Sequence, residues 1–154
     1  MGNKIIATNR KAKFEYFLLE RYEAGISLKG SEIKSIRASQ ISITEAYVQV
    51  NGSSAWLVNA NISPYDPASR ENHDPVRNRR LLLNKHEIRE IGEGIQKKGL
   101  TVIPVEVYLK NGLAKLSIAL AKGKKLYDKR NSIAEREIER EIKRTSKKAF
   151  YKRY

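Results

Sequence analysis

Thr101-Val102-Ile103-Pro104-Val105-Glu106-Val107-Tyr108-Leu109-Lys110-Asn111-Gly112-Leu113-Ala114-Lys115-Leu116-Ser117-Ile118-Ala119-Leu120 decides the fold. Two alternating runs flank Asn111-Gly112, the pair that supplies the positive-φ residues of a type I′ turn. Ile103, Val105, Val107 and Leu109 share one face of the first run. Leu116, Ile118 and Leu120 share one face of the second, with Lys115 and Ser117 opposite. This pattern predicts an antiparallel hairpin with one apolar face. Pro104 predicts an edge or bulge position, because proline cannot donate to a ladder.

Working outward, Asn51-Gly52 predicts a second hairpin joining 46–50 to 55–58 in the same way. Trp56, alternating with Val58, is expected in the core. Phe14–Leu28 fits either period; a long strand broken at Glu23-Ala24-Gly25 is the preferred reading, since glycine permits a bulge. Two helices are expected. Ser31–Ala38 turns Ile33 and Ile36 inward. Lys85–Lys98 starts after Asn84, which forms a capping-box pair with Glu87, buries Ile88, Ile91 and Ile95, and ends at Gly99. A long irregular loop holding Pro64, Pro67 and Pro75 is expected between Asn61 and Arg80. The fold class is therefore mainly β: a small closed antiparallel barrel, OB-like, of about six strands with peripheral helices and a basic C-terminal tail.

The chain has 154 residues, with 31 Lys and Arg against 17 Asp and Glu, a formal net charge of +14. This predicts one domain, residues 1–121, followed by a tail, 122–154. The tail holds thirteen Lys/Arg and five Asp/Glu and only three isoleucines. It cannot bury a core and is expected to lack a fixed fold alone. Ser132 and Glu135 form a capping-box pair, and Arg136, Arg140 and Arg144 recur every four residues, so a helix would align them in one stripe. Cations of this density suit a phosphate backbone, whose condensed counterions they displace. No apolar run is long enough for a membrane helix, and the N-terminus lacks the apolar stretch of a signal peptide, so a cytoplasmic protein with no membrane partner is expected.

Enzymatic chemistry finds little support. The chain has no cysteine and two histidines. His73-Asp74-Pro75 is a plain turn, and His86 adds too few ligands for a metal site. Neither a nucleophile elbow nor a phosphate-binding glycine loop is present. No catalytic residue, metal or cofactor is expected. Arg70, Arg77, Arg79, Arg80 and Lys85 cluster around the proline loop and form a candidate phosphate-contacting patch. Tyr127 lies among cations with only Leu126 as an apolar neighbour, a setting suited to stacking on an unpaired base. Composition alone leaves other non-enzymatic RNA binders open, a ribosomal protein or an RNA chaperone among them.

Four motifs in register are more specific. Asn72-His73-Asp74-Pro75-Val76-Arg77-Asn78-Arg79-Arg80-Leu81-Leu82-Leu83 is one. The others are Tyr22-Glu23-Ala24-Gly25-Ile26 with Gly30 through Arg37, Asn61-Ile62-Ser63-Pro64-Tyr65, and Ala121 through Arg130. Together the chain from about Asn9 to Arg136 resembles small protein B, the tmRNA-binding family of bacterial ribosome rescue. The resemblance implies a non-enzymatic protein that binds the tRNA-like domain of tmRNA as a monomer. It also implies a tail that enters the empty mRNA channel of a stalled small ribosomal subunit, against 16S rRNA, and folds there into a helix. Elongation factor Tu is an implied neighbour. By motif position, Asn9, Glu23, Leu82 and Lys115 match the tmRNA face, to which the patch reading adds Arg77 and Arg79. Asp128, Lys129 and Arg130 match the tail base at the decoding centre. Lys124, Lys125, Tyr127, Arg136, Arg140 and Arg144 are assigned with them to the ribosome. After Arg37 the family usually shows Gly-Lys, whereas here Ser39-Gln40 follow Ala38, so no RNA contact is expected there.

Overall fold

The structure, a computed structural model, describes residues 3–65 and 72–125 together with Arg130, Glu137, Ile138 and Arg140. Along the chain the elements are β1 (Lys4–Thr8), α1 (Arg10–Glu15), β2 (Tyr16–Ile26), α2 (Gly30–Arg37), β3 (Ile41–Ser42), β4 (Tyr47–Asn51), β5 (Ser54–Val58), β6 (Asn61–Ile62), β7 (Arg79–Leu82), α3 (Lys85–Lys98), β8 (Thr101–Lys110) and β9 (Leu113–Gly123). Seven strands form one antiparallel sheet in the order β1-β8-β9-β2-β7-β5-β4, and β3 pairs with β6 in a small ribbon. By internal contacts the chain divides into Met1–Gly123 and Lys124–Tyr154.

The hairpin that anchored the sequence reading is the spine of this sheet. Asn111 and Gly112 take φ of 53° and 78°, and the register runs from Lys110↔Leu113 through Tyr108↔Lys115 to Val107↔Leu116. Pro104 sits at a register shift in β8. It is a bulge but not an edge, since β8 lies between β1 and β9. The expected closed barrel is not found: β1 and β4 are the two ends of the sheet, and among the described residues no ladder joins them. β4 packs against β8 without pairing with it.

Other expectations shift in detail. The second hairpin forms, but Asn51 pairs with Ser54, so its turn is Gly52-Ser53, with Gly52 at φ of 63°. β2 is the expected long strand, yet it begins at Tyr16 because Asn9 caps a short helix over 10–15 that absorbs Phe14. Its irregularity falls between Leu18 and Arg21, not at Glu23-Ala24-Gly25, which pair continuously with β9. α3 matches closely: Asn84 and Glu87 form the capping box, Ile88 and Ile91 are buried, Ile95 packs against the core, and Gly99 ends the helix. α2 brings Ile36 to full burial beneath Leu57, Leu81, Leu116 and Ile118 of the same core. Past α2, Ser39 takes φ of 60°, keeping a left-handed turn without glycine.

Trp56 is a clear correction. Ala55 and Leu57 are the buried residues of β5, so alternation turns Trp56 to the outer face, where it is half-buried. The presumed loop after Asn61 is also more structured than expected. Ile62 donates to Pro75 O, and His73 is buried with Nε2 2.8 Å from Ile62 O and Nδ1 2.8 Å from Ser31 Oγ. A carbonyl only accepts, so Nε2 donates to Ile62 O, while Nδ1 shares a hydrogen bond with the serine hydroxyl. His73 is thus a buried strut tying this segment to α2.

Candidate nucleic-acid interface

The same alternation divides the arginines of β7. Arg79 and Leu81 face the core, while Arg80 and Leu82 face out. Arg79 is fully buried opposite Leu57. Its Nε lies 2.5 Å from Glu32 Oε2, and its terminal nitrogens reach the carbonyls of Ala60, Arg77, Pro75 and Asp74 at 3.0–3.4 Å. All five guanidinium donors therefore have acceptors. Arg77 binds the other side of Glu32, with Nε 3.1–3.2 Å from both carboxylate oxygens and Nη2 2.5 Å from Oε1, and it also donates to Ser27 O. Burial pushes the Glu32 carboxyl up, but Arg77, the Lys29 amide and Arg79 outweigh it and hold the group below the usual carboxylate range. Burial, partly offset by Glu32, lowers the Arg79 guanidinium, which remains charged as arginine does in proteins.

Arg79 is therefore removed from the candidate RNA face, and Arg77 is committed mainly to Glu32. Asn9 is withdrawn as well. It is buried, its Oδ1 caps α1 by accepting from Ala12 N, and its Nδ2 donates to Pro104 O at 3.0 Å and Ile43 O at 3.3 Å. These three residues hold the scaffold.

Glu23, Leu82 and Lys115 come together. Gly25 is the register partner of both Lys115 on β9 and Leu82 on β7. A residue without a side chain thus sits between two outward side chains and opens a cleft. Glu23, Leu82, Lys115, Arg80 and Lys85 line this cleft, which has a volume of about 500 Å³. A Cβ on Gly25 would lie 3.2 Å from Leu82 Cβ, so the glycine also permits the close seat of Leu82. Leu82 remains 57% exposed.

Glu23 is held in place by residues that the sequence reading missed. Tyr108 Oη donates to Glu23 Oε2 at 2.5 Å, and Lys110 Nζ lies 3.4 Å from Oε1. The Tyr108 hydrogen bond lowers the carboxyl, burial opposes it, and Lys110 and Lys115 add to the lowering. Tyr108 was findable: the Asn111-Gly112 turn fixes it opposite Lys115, on the same face. The cleft thus offers a fixed carboxylate, an exposed aliphatic side chain and three cations. A carboxylate accepts from base or ribose donors, an aliphatic group packs on a base or sugar, and cations meet phosphate.

In the second unit, Arg130, Glu137, Ile138 and Arg140 are helical and exposed. Lys124 and Lys125 lie beyond the end of β9. Tyr127, Asp128, Lys129, Arg136 and Arg144 lie outside the described residues. Among the described residues no helix is long and apolar enough to cross a membrane, and no group of three His, Asp or Glu side chains could hold a metal ion.

The chain is similar to known proteins. An SsrA-binding protein of Ligilactobacillus salivarius is 54% identical over 142 residues, 92% of each chain. The SsrA-binding protein of Persephonella marina is 50% identical over 147 residues, 96% of this chain and 97% of its own. A solved structure described as "tmRNA-SmpB: a journey to the center of the bacterial ribosome" contains a chain that superposes with a TM-score of 0.67 at 41% identity. It covers 82% of this chain and 93% of its own. The SmpB protein family model matches residues 6–148, so this chain belongs to the SmpB family.

Proposed function

We propose that this protein binds tmRNA and brings it to stalled ribosomes for trans-translation, without catalysis of its own. The observation that carries the reading is the convergence of Glu23, Leu82 and Lys115 on one cleft. The relatives are SsrA-binding proteins, which supports the same ligand. In this reading the cleft holds the tRNA-like domain, and Arg80 and Lys85 take the phosphate role first given to Arg77 and Arg79. The basic segment after Gly123 follows the empty mRNA channel of the small subunit along 16S rRNA. Lys124, Lys125, Tyr127, Asp128, Lys129 and Arg130 act near the decoding centre, with Arg136, Arg140 and Arg144 along the channel. The protein acts as a monomer in the cytoplasm, with elongation factor Tu as a neighbour in delivery.

The test is a mobility shift against tmRNA and against total tRNA, beside a tagging assay on stalled ribosomes. A chain ending at Gly123 is expected to retain tmRNA binding and lose tagging. Loss of tmRNA binding with tagging retained would refute the division of labour. Equal affinity for tmRNA and bulk tRNA would refute the specific ligand.

A further inference from the structure

The outer face of β4, β5 and β7 carries a second set of groups that the cleft does not use. Trp56 is flanked in register by Gln49 on β4 and Arg80 on β7. Its outward side chain, with Gln49, Asn51 and Asn78, lines an open depression of about 290 Å³. Within the described residues, no side-chain hydrogen bond or ion pair engages Gln49, Asn51, Asn78, Arg80 or the Trp56 indole. Tyr47, next along the same face of β4, is 46% exposed. Among the described residues, three amides and one guanidinium without a side-chain partner thus lie beside a half-buried indole.

We infer that Trp56 is a stacking platform for an unpaired RNA base, with Gln49, Asn51 and Asn78 on the base edge and Arg80 on the adjoining phosphate. An indole face is sequence-tolerant and binds any base by stacking, while side-chain amides donate and accept as base edges require. Occupancy by RNA follows from continuity and charge. Arg80 lines the cleft of Glu23, Leu82 and Lys115 and is the register neighbour of Trp56 on β7, so one strand leaving the cleft past Arg80 reaches Trp56. The inference rests on the RNA-binding reading and extends it by a site for single-stranded rather than folded RNA. The base has two sources, tmRNA or rRNA.

Trp56 is the chain's one tryptophan, so indole fluorescence, excited at its red edge, reports this site alone. The full chain would be titrated with a single-stranded RNA of about eight nucleotides, within the range of site sizes of single-strand-binding domains, and with a duplex of the same length. The expected result is quenching by the single strand and little by the duplex. Titration with tmRNA and with purified small subunits then assigns the source of the base. Trp56→Leu, which keeps the apolar area but removes the ring, should weaken single-strand binding about tenfold, as loss of one stacked base does. Trp56→Phe should restore most of it, measured by anisotropy of labelled RNA. Thermal melting of both variants checks the fold. Absence of quenching by every RNA, or equal affinity of wild type and Trp56→Leu, overturns the inference. Emission that follows protein concentration instead of RNA also overturns it, since the face would then cover a second copy. If wild type fails to shift tmRNA at all, the functional reading fails first; if it shifts tmRNA normally while Trp56 stays silent, only the platform fails.

Discussion

Glu32 and Glu23 are carboxylates of similar sequence character that do opposite work. Glu32 meets the inner side of β7, is fully buried, and is bracketed by Arg77 and Arg79. Glu23 stands on the outer side of β2, its side chain 41% exposed, held by one tyrosine and one lysine. The first neutralises an arginine that the fold has buried. The second is aimed at solvent in a cleft among cations. On a basic protein, a carboxylate identifies a ligand site only when its own partners leave it open.

The largest expected effect breaks the buried side. Glu32→Ala leaves the Arg79 charge in the core without its counterion, a change that costs about 3–5 kcal/mol. Urea unfolding should show this loss in midpoint with little change in slope. Loss of less than about 1 kcal/mol would show that water reaches Arg79 and that the bracket is not buried in solution. The same group sets the acid limit. Its folded carboxyl is held below the ordinary value of 4.5, so its stabilisation is present above that value. It is lost as pH falls through the lowered folded value. Unfolding midpoints measured from neutral pH downward should therefore fall below the ordinary carboxylate range. Glu32→Gln should flatten that fall, and an unchanged acid profile would assign it to other carboxylates.

How far the sequence revealed these roles depends on which face each residue occupies. The Asn111-Gly112 hairpin, α2, α3 and the mainly β class were legible because turn chemistry, caps and apolar periods are local signals. Closure of the barrel was not, because it depends on whether the two end strands, β1 and β4, meet in a ladder, a property of the whole strand order. Arg79 and Arg80 look equivalent in a run of cations. Only the alternation of the short strand separates them, and it needed Leu81 to be recognised as the buried leucine. Asn9 matched a family position at the RNA face, yet the carbonyls it binds, of Ile43 and Pro104, come from residues 34 and 95 positions away. Trp56 was misplaced by pairing it with Val58, when Ala55 and Leu57 were the better guides. Glu23, Leu82 and Lys115 were found through family resemblance; register alone then joins them across Gly25.

A middle-sized effect tests the open side. Glu23→Ala should weaken tmRNA binding by about 1–3 kcal/mol, the range for hydrogen bonds to a charged group. Leu82→Asp should do at least as much by placing a second carboxylate at the cleft. Neither should shift the unfolding midpoint as Glu32→Ala does, since both side chains are largely exposed. Improved binding by Glu23→Ala, the result of simple charge removal, would refute the contact and leave Glu23 as a partner of Tyr108 alone.

The smallest effect probes the floor between these groups. Gly25→Ala adds a methyl 3.2 Å from Leu82 Cβ, closer than side chains normally approach, so Leu82 must give by a few tenths of an ångström. It can give, because it is exposed and β7 pairs with β2 through only Gly25↔Leu82 and Ile26↔Leu81. Replacing a strand glycine also recovers about 0.5–1 kcal/mol of backbone entropy. The two terms oppose, and stability should change by less than about 1 kcal/mol. tmRNA affinity should fall a few-fold, because the methyl narrows the gap between Lys115 and Leu82 without removing either. Melting and mobility-shift measurements on the one variant separate the outcomes. A loss beyond about tenfold, near 1.4 kcal/mol, with an unchanged melt would mean that RNA approaches the Gly25 backbone itself. Unchanged affinity would mean that the cleft floor is not contacted, and that Glu23, Leu82 and Lys115 act from the rim.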